Sequence, residues 1–211
     1  MTTPADLVDE LRRLIDVIRI TDLEVAAGHG VDLGEVTARI GAIRSELEPH
    51  VVDDLRMQRG LYAHEHFTNP PAVPNLADVA PRDFFPYSPV IGALNPIAPD
   101  VHLRVEGDQV VGSGTVSAAH NGPPGGVHGG HVAALMDELL GVTCIATGTG
   151  GFTGTLTVRY ENLTPLDTEL TLRGWIDRIE GRKIFAKGEI HAGDIRCAVG
   201  EGIFIRRAEA P

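Results

Sequence analysis

The sequence predicts an α+β fold, in which an antiparallel β-sheet is wrapped around one long central helix and follows a helical N-terminal extension. Three observations predict it. Apolar side chains alternate along several segments after residue 100, short turns separate these segments, and one helical segment among them is apolar nearly all round. A helix that is apolar on every side must be buried. The sheet is therefore expected to curl around this helix.

Residues 1–67 are predicted to form the helical extension, because two stretches carry apolar residues at helical spacing. These residues are Leu7, Leu11, Leu14, Ile15 and Ile18 in the first stretch, and Val36, Ile40, Ile43, Leu47 and Val51 in the second. Gly28-His29-Gly30 separates the two, and Pro49 is expected to kink or end the second helix. Short helices cannot bury an apolar stripe alone, so they should pack on each other, on the main domain or on another chain. A solvated arm is the alternative.

Residues 68–100 are predicted to form an extended connector, because they hold eight of the 14 prolines. Proline at this density excludes regular helix and central strand. Phe84, Phe85 and Tyr87 are candidate anchors that would hold the connector along the main domain. A mobile linker is the alternative that these aromatic residues disfavour.

Residues 101–207 are predicted to form the main domain. The alternating segments lie at 101–105, 110–117, 156–160, 170–176, 184–190 and 195–205, and the turns at Glu106-Gly107-Asp108, Glu180-Gly181 and Ala192-Gly193-Asp194. Short turns of this kind join antiparallel strands. The buried helix is predicted at about 130–147, where Val132, Leu135, Met136, Leu139, Leu140 and Cys144 cover most of the circumference.

Composition limits the function classes. The chain of 211 residues has 29 acidic and 18 basic residues and a net charge of -11, which argues against a nucleic-acid partner. Its two cysteines, Cys144 and Cys197, are too few for a disulfide framework or a four-cysteine zinc site, and both are expected to be core thiols. The N-terminus lacks the pattern of a signal peptide, and no apolar run approaches the roughly 20 residues of a membrane span. We therefore expect a cytoplasmic protein.

The segment from Asn121 to His131, NGPPGGVHGGH, is the richest in candidate chemistry. Its glycines and prolines predict a tight loop in which the backbone can approach a ligand closely. The loop leads into the start of the buried helix, where free N–H groups and the helix dipole favour a phosphate or a developing oxyanion. A plain connection between strand and helix is the alternative. His128 and His131 also invite a zinc site, although no third ligand is evident in the sequence.

Asp137 lies at the edge of the apolar face of this helix, where a carboxylate is unfavourable unless it is paired or used. Asp137 and Glu138 are its only acidic residues, and a solvent-facing position is the alternative for each. Asp137 follows Gly129 by eight residues, which is about 12 Å along a helix axis. If the two act together, they should come from two chains, and a two-fold dimer with antiparallel helices would provide two equivalent sites.

From about residue 90 to 206 the sequence resembles the hotdog-fold acyl-CoA thioesterases of the phenylacetate-degradation type. The residues that carry the resemblance are Gly122-Pro123-Pro124-Gly125-Gly126-Val127-His128-Gly129-Gly130, Asp137 nine residues after His128, and the strand Phe152-Thr153-Gly154-Thr155-Leu156-Thr157-Val158-Arg159-Tyr160. The resemblance implies hydrolysis of an acyl-CoA thioester by a homodimer or a dimer of dimers.

The resemblance also implies roles for individual residues. The N–H of Gly129, helped by that of Gly130, would polarise the thioester carbonyl. Asp137 of the partner chain would attack the carbonyl or activate a water molecule, and Thr153 would orient the carboxylate or the water. His128 would shape the loop and reach the carbonyl. A thioester is already electrophilic, so these groups suffice without a metal or an organic cofactor.

Four further residues are candidates for binding the substrate. Asn121 lies near the place where related enzymes carry an amide at the thioester. Arg182 and Lys183 follow the Glu180-Gly181 turn, near which related enzymes often meet the CoA phosphates. Arg159 is a weaker candidate on the strand that contains Thr153, and for the basic pair a solvated turn is the alternative reading.

Two other functions remain open from the sequence. Hotdog folds also host hydratases and dehydratases, but these pair a catalytic histidine with an acid in a different motif, of which this chain has no clear version. A non-catalytic acyl-CoA-binding or scaffold protein, with the N-terminal helices recruiting a partner, would bind CoA esters without turnover.

Overall fold

The computed structural model describes residues 2–51, 80–148 and 150–206. The predicted boundary between the extension and the connector, at 67 and 68, lies outside the described residues. Three helices form the described part of the extension: α1 (Pro4–Ile20), α2 (Leu23–Gly28) and α3 (Leu33–Leu47), followed by a 3-10 turn at Glu48–His50.

The N-terminal helices begin where the local sequence provides a capping side chain. Thr3 caps α1, and the Asp22 and Asp32 carboxylates cap α2 and α3 by accepting bonds from their first-turn N–H groups. The sequence predicted two helices, and the structure adds the short α2 between them, because Asp22 provides a second start before Gly28. Pro49 lies in the 3-10 turn that ends α3, as expected.

The main domain is a six-stranded antiparallel sheet around one helix, which confirms the predicted hotdog architecture. Its strands are β1 (Asp100–Glu106), β2 (Gln109–Thr115), β3 (Phe152–Tyr160), β4 (Leu170–Glu180), β5 (Lys183–Ala192) and β6 (Ile195–Ile205). Their order across the sheet is β1-β2-β4-β5-β6-β3. The central helix α5 (Gly129–Ala146) follows a 3-10 turn at Ala118–His120 and carries much of the buried core.

A row of glycines lets α5 approach the sheet closely. Gly174, Gly188 and Gly200 are direct cross-strand partners on β4, β5 and β6. A Cβ atom at any of them would press on side chains of α5, such as Leu139 at Gly188 and Met136 at Gly200. The absence of side chains along this row therefore sets the depth at which the helix lies in the sheet.

The described part of the connector is anchored by its aromatic residues, as predicted. Phe84 and Phe85 are 7% and 4% exposed, and Tyr87 is half-buried. The expectation that proline excludes regular helix is wrong for one turn, α4 (Pro81–Phe84). Proline is tolerated there because Pro81 stands in the first turn, where a backbone N–H would have no helical partner.

Within the described residues, α5 is the one helix long and apolar enough to cross a membrane by length and composition. Many of its side chains lie in the core beneath the sheet, and a buried core helix passes the same test. The composition of α5 is therefore weak support for a membrane span.

The helix α1 is fastened to the connector by Arg12. Its guanidinium donates hydrogen bonds to four backbone carbonyl oxygens, those of Gly92, Ala93, Asn95 and Ala98, at 2.8–3.3 Å. The Arg12 side chain is only 14% exposed. The helix α1 therefore packs on its own chain, against the connector through Arg12 and against the main domain through a hydrogen bond from Arg19 to Asn121, and is not a solvated arm.

Replacing Arg12 with alanine is expected to lower the free energy of unfolding by about 2 kcal/mol, because four partly buried carbonyl oxygens would lose a charged donor. Urea denaturation measures this change. Arg13→Ala is the matched control. Arg13 pairs with Glu10, and both side chains are more than 60% exposed, so the loss of this pair should change stability by less than about 0.5 kcal/mol. Equal effects of the two substitutions would contradict the importance of the Arg12 contacts.

Candidate active site

The glycine-rich loop before α5 is closed by its own backbone. The N–H of Gly122 donates to the Gly126 carbonyl at 2.8 Å, and Asn121 forms an antiparallel bridge with Val127. A Cβ atom at Gly122 would lie 2.6 Å from the Cα of His128, so only glycine fits at that position. The loop therefore holds Asn121 directly across from the residues that start α5.

The first turn of α5 leaves one backbone donor free. His128 is the N-cap: its Nδ1 accepts a hydrogen bond from Gly130 N at 3.0 Å, and its carbonyl accepts from His131 N and Val132 N. Among the described residues, no group accepts a hydrogen bond from the Gly129 N–H. The predicted oxyanion donor is thus available, whereas the N–H of its predicted helper Gly130 is engaged by His128 in this structure.

Tyr160, at the end of β3, touches the same turn. Its hydroxyl donates to the Gly129 carbonyl oxygen at 2.9 Å, and its ring lies 3.7 Å from where a Cβ of Gly129 would stand. Sequence reasoning treated Tyr160 only as a strand residue. Its contact with the helix could have been predicted from the alternation of Tyr160 with Leu156 and Val158, which places the three side chains on one face of β3.

Asp137 and Thr153 are brought together, as the resemblance implied. The Thr153 hydroxyl donates to Asp137 Oδ1 at 2.9 Å. Strand alternation alone would turn Thr153 away from the helix, because Thr155 and Thr157 face outward. The register of β3 shifts between Thr153 and Thr155, so that this bulge turns Thr153 onto the face of α5.

Glu138, the neighbour of Asp137, has a different environment. Its carboxylate accepts a hydrogen bond from the buried Ser88 hydroxyl of the connector at 2.8 Å. Burial raises the pKa of Glu138, the negative charge of Asp137 adds to this effect, and the Ser88 hydrogen bond opposes it. Glu138 therefore joins the connector to the central helix, while Asp137 is on the side of β3.

Two histidines near the loop lie in direct contact. His120 Nδ1 and His131 Nε2 lie 3.2 Å apart. Burial lowers the pKa of His120 and of His131, and the proximity of the two rings lowers that of His120 further. In the described part of the chain, no group of three histidine, cysteine or acidic side chains is arranged to hold a metal ion. The zinc alternative therefore finds no support in this geometry.

The three basic candidates lie apart from the loop. Arg159 is on the face of the sheet opposite α5, where it pairs with Glu161. Arg182 donates to the Arg206 carbonyl oxygen at 2.8 and 3.0 Å. Lys183 begins β5 opposite Ile205, which in turn pairs with Phe152, so the basic turn lies at the Thr153 end of β3.

Two groups of candidates therefore occupy opposite ends of β3. Asn121, His128 and Gly129 are at its Tyr160 end, and Asp137 is at its Thr153 end. Along α5 the two groups are about 12 Å apart. One thioester carbonyl cannot touch both groups within a single chain.

A family model described as the thioesterase superfamily matches residues 124–199. A crystal structure of a protein described as a thioesterase superfamily protein is 30% identical, with a TM-score of 0.77, and the alignment covers 97% of this chain and 95% of that one. The chain belongs to the thioesterase superfamily. This membership confirms the resemblance and the fold predicted from the glycine-rich loop, Asp137 and the strand after it.

Other thioesterase superfamily relatives match over shorter regions. The human acyl-coenzyme A thioesterase THEM5 is 37% identical over 87 residues, which is 40% of this chain and 35% of that protein. The Xenopus laevis acyl-coenzyme A thioesterase THEM4 is 37% identical over 73 residues, which is 35% of this chain and 33% of that protein. The alignments thus span about a third of the length of these curated relatives.

Proposed function

We propose that this thioesterase superfamily member hydrolyses acyl-CoA thioesters to a free acid and CoA. The observation that carries the proposal is the Asp137 carboxylate, held by Thr153 on the same helix whose first turn presents the Gly129 N–H. A carboxylate and an oxyanion donor are the two groups that thioester hydrolysis needs. The names of the relatives, acyl-coenzyme A thioesterases, support CoA esters as the substrate class.

The site is completed in a two-fold homodimer. A dimer of dimers would contain two such homodimers. In the described sheet β3 is an edge strand, and its residues are exposed or half-buried along its whole length. Phe152 and Tyr160, at its two ends, are each more than half exposed. Such an edge is a template for pairing with a second copy. Antiparallel pairing of two β3 strands would set Gly129 of one protomer level with Asp137 of its partner.

In this site the Gly129 N–H binds the thioester oxygen as negative charge develops on it. Thr153 fixes Asp137 Oδ1 and leaves Oδ2 for the reaction. As general base, Asp137 takes a proton from water while the water oxygen bonds to the carbonyl carbon. The tetrahedral intermediate then collapses, the C–S bond breaks, and the CoA thiolate leaves and is protonated. As nucleophile, Asp137 bonds to the carbonyl carbon itself, and collapse of this tetrahedral intermediate breaks the C–S bond, expels the CoA thiolate and leaves a mixed anhydride. Water then hydrolyses the anhydride to the free acid and the Asp137 carboxylate.

The remaining candidates bind or shape the substrate site. His128 sets the loop by capping α5, with Gly130 as its backbone partner. Arg182 and Lys183 provide positive charge at the Thr153 end of β3, where the CoA phosphates are expected. Arg159 is a weaker phosphate ligand, because Glu161 already neutralises it. No metal or organic cofactor takes part in this proposal, and a cytoplasmic location stays a prediction.

Thiol release from short, medium, long and aryl acyl-CoAs tests the proposed function. We expect turnover with at least one ester, in the absence of added metal, and the best substrate will define the acyl pocket. Mass analysis of an enoyl-CoA reaction separates thioester cleavage from hydration of the double bond. Binding of CoA esters without release of thiol from any of them would overturn the proposal in favour of a binding protein.

A further inference from the structure

The side of α1 that packs on the rest of the chain is mostly charged and differs from the apolar stripe that periodicity predicts. Val8, Arg12, Asp16 and Arg19 share one side of the helix, and Val8 and Arg12 are buried or nearly so. In contrast, most of the apolar residues of α1 that periodicity singles out remain exposed, such as Leu7 at 43%, Leu14 at 37% and Ile18 at 43%, while Leu11 is half-buried. Specific polar contacts therefore set how α1 lies on the domain.

The last of these contacts reaches the glycine-rich loop. A terminal nitrogen of Arg19 donates a hydrogen bond to Asn121 Oδ1, 102 residues away in the chain. Arg12, two helical turns earlier, fixes α1 by its four carbonyl contacts. Arg19 is therefore presented to Asn121 by a helix that is already anchored.

The chemistry of this contact determines which way the Asn121 amide points. A guanidinium has donors and no acceptor, so the atom of Asn121 that faces Arg19 must be the oxygen. The amide nitrogen is then turned away from Arg19. In the described parts of the chain no group accepts a hydrogen bond from this nitrogen, so it remains able to donate to a ligand. The positive charge of Arg19 also polarises the amide and strengthens its N–H donors.

Asn121 is well placed to use that donor. Its backbone bridges Val127, two residues before Gly129, and the next residue, Gly122, packs against the His128 backbone. The loop thereby fixes the backbone of Asn121 beside the turn that offers the Gly129 N–H. The orientation of its side chain is fixed separately, by Arg19 from the N-terminal extension.

We propose that Arg19 is a positioning residue of the thioesterase site, which orients and polarises the Asn121 amide so that its N–H donates to the thioester. This inference rests on the proposed function. It assigns α1 a part in the reaction, since Arg19 acts through Asn121 without touching the substrate. The extension is thus a component of the active site as well as a part of the fold.

A double-mutant cycle tests the inference. Arg19→Ala and Asn121→Ala should each lower kcat about 10-fold with KM changed less than about 2-fold, because the donor acts mainly on the transition state. The double variant should be no slower than Asn121→Ala, because the two single substitutions remove the same interaction. Arg19→Lys should restore part of the activity. Arg13→Ala, on the exposed side of the same helix, should behave as wild type.

A measurement without turnover separates this inference from the proposed function. In ¹⁵N-labelled protein, the side-chain amide resonances that disappear in Asn121→Ala belong to Asn121. These resonances should shift in Arg19→Ala and stay unchanged in Arg13→Ala. If the wild type is active but the effects of the two substitutions are additive, or the Asn121 resonances do not shift, the inference is wrong while the proposed function stands. An inactive wild type overturns the proposed function and the catalytic part of the inference, while the resonances still decide whether Arg19 orients Asn121.

Discussion

Replacing Asp137 with asparagine is expected to lower kcat by about 10²- to 10⁴-fold for every acyl-CoA that the wild type hydrolyses. An amide at this position can neither take a proton from water nor attack the carbonyl at a comparable rate. The shape of the side chain is retained, and its amide oxygen can still accept the hydrogen bond from Thr153. The loss should therefore appear in kcat, with KM and thermal stability little changed.

The design has two controls. Asp108→Asn makes the same chemical change at the exposed turn between β1 and β2 and should leave turnover unchanged. Thr153→Ala should lower kcat less than Asp137→Asn does, because it removes the orientation of the carboxylate and leaves its charge. Turnover in Asp137→Asn within about 2-fold of wild type would exclude Asp137 as either base or nucleophile.

Label from H₂¹⁸O that is found in Asp137 identifies the nucleophilic role. In a single turnover in H₂¹⁸O, a general base directs the label only into the acid product. A nucleophile forms an anhydride, and attack of water on the Asp137 side of it leaves the label in the protein. Mass spectrometry of the peptide that contains Asp137 reads the outcome directly.

The strands and the central helix could be predicted because one physical rule, burial of apolar side chains, produces both their periodicities. The same rule fails at Thr153. Alternation along β3 predicts that Thr153 lies on the face of the sheet away from α5, and only the bulge between Thr153 and Thr155 turns its side chain toward Asp137. Its role was available solely from the resemblance, because a bulge depends on pairing with β6 and leaves no periodic signal.

For the N-terminal helix α1, the sequence predicts the position of the helix but not the residues that hold it in place. Periodicity correctly located α1 from its apolar residues, yet most of those residues stay exposed. Arg12 instead holds α1 to the connector and Arg19 holds it to the glycine-rich loop, through carbonyl and amide oxygens that are 80 to 102 residues away. Charged residues on a helix normally face water, so nothing in the local sequence distinguishes Arg12 from the exposed Arg13. Only the folded chain shows which arginine is used.

Gly129→Pro is the second substitution with a large expected effect, because it removes the proposed oxyanion donor and little else. Gly129 is the first residue of α5, the position at which proline is favoured in helices. The extended backbone of His128, with ψ of 133°, is compatible with a following proline. We expect kcat to fall about 10²- to 10³-fold. Gly129→Ala keeps the N–H and places its Cβ at an ordinary 3.7 Å from Tyr160, so it should lose far less.

Combining the two variants tests whether the site is shared between chains. Two differently tagged chains, one with Asp137→Asn and one with Gly129→Pro, are co-expressed and the mixed dimer is isolated. If each site is formed across the two-fold axis, one site of the mixed dimer contains both native residues and the other site contains neither. Activity should then return to about half of wild type. If each chain builds its own site, every site in the mixed dimer keeps one lesion. Activity would then stay at the level of the parents, and the dimeric site would be wrong.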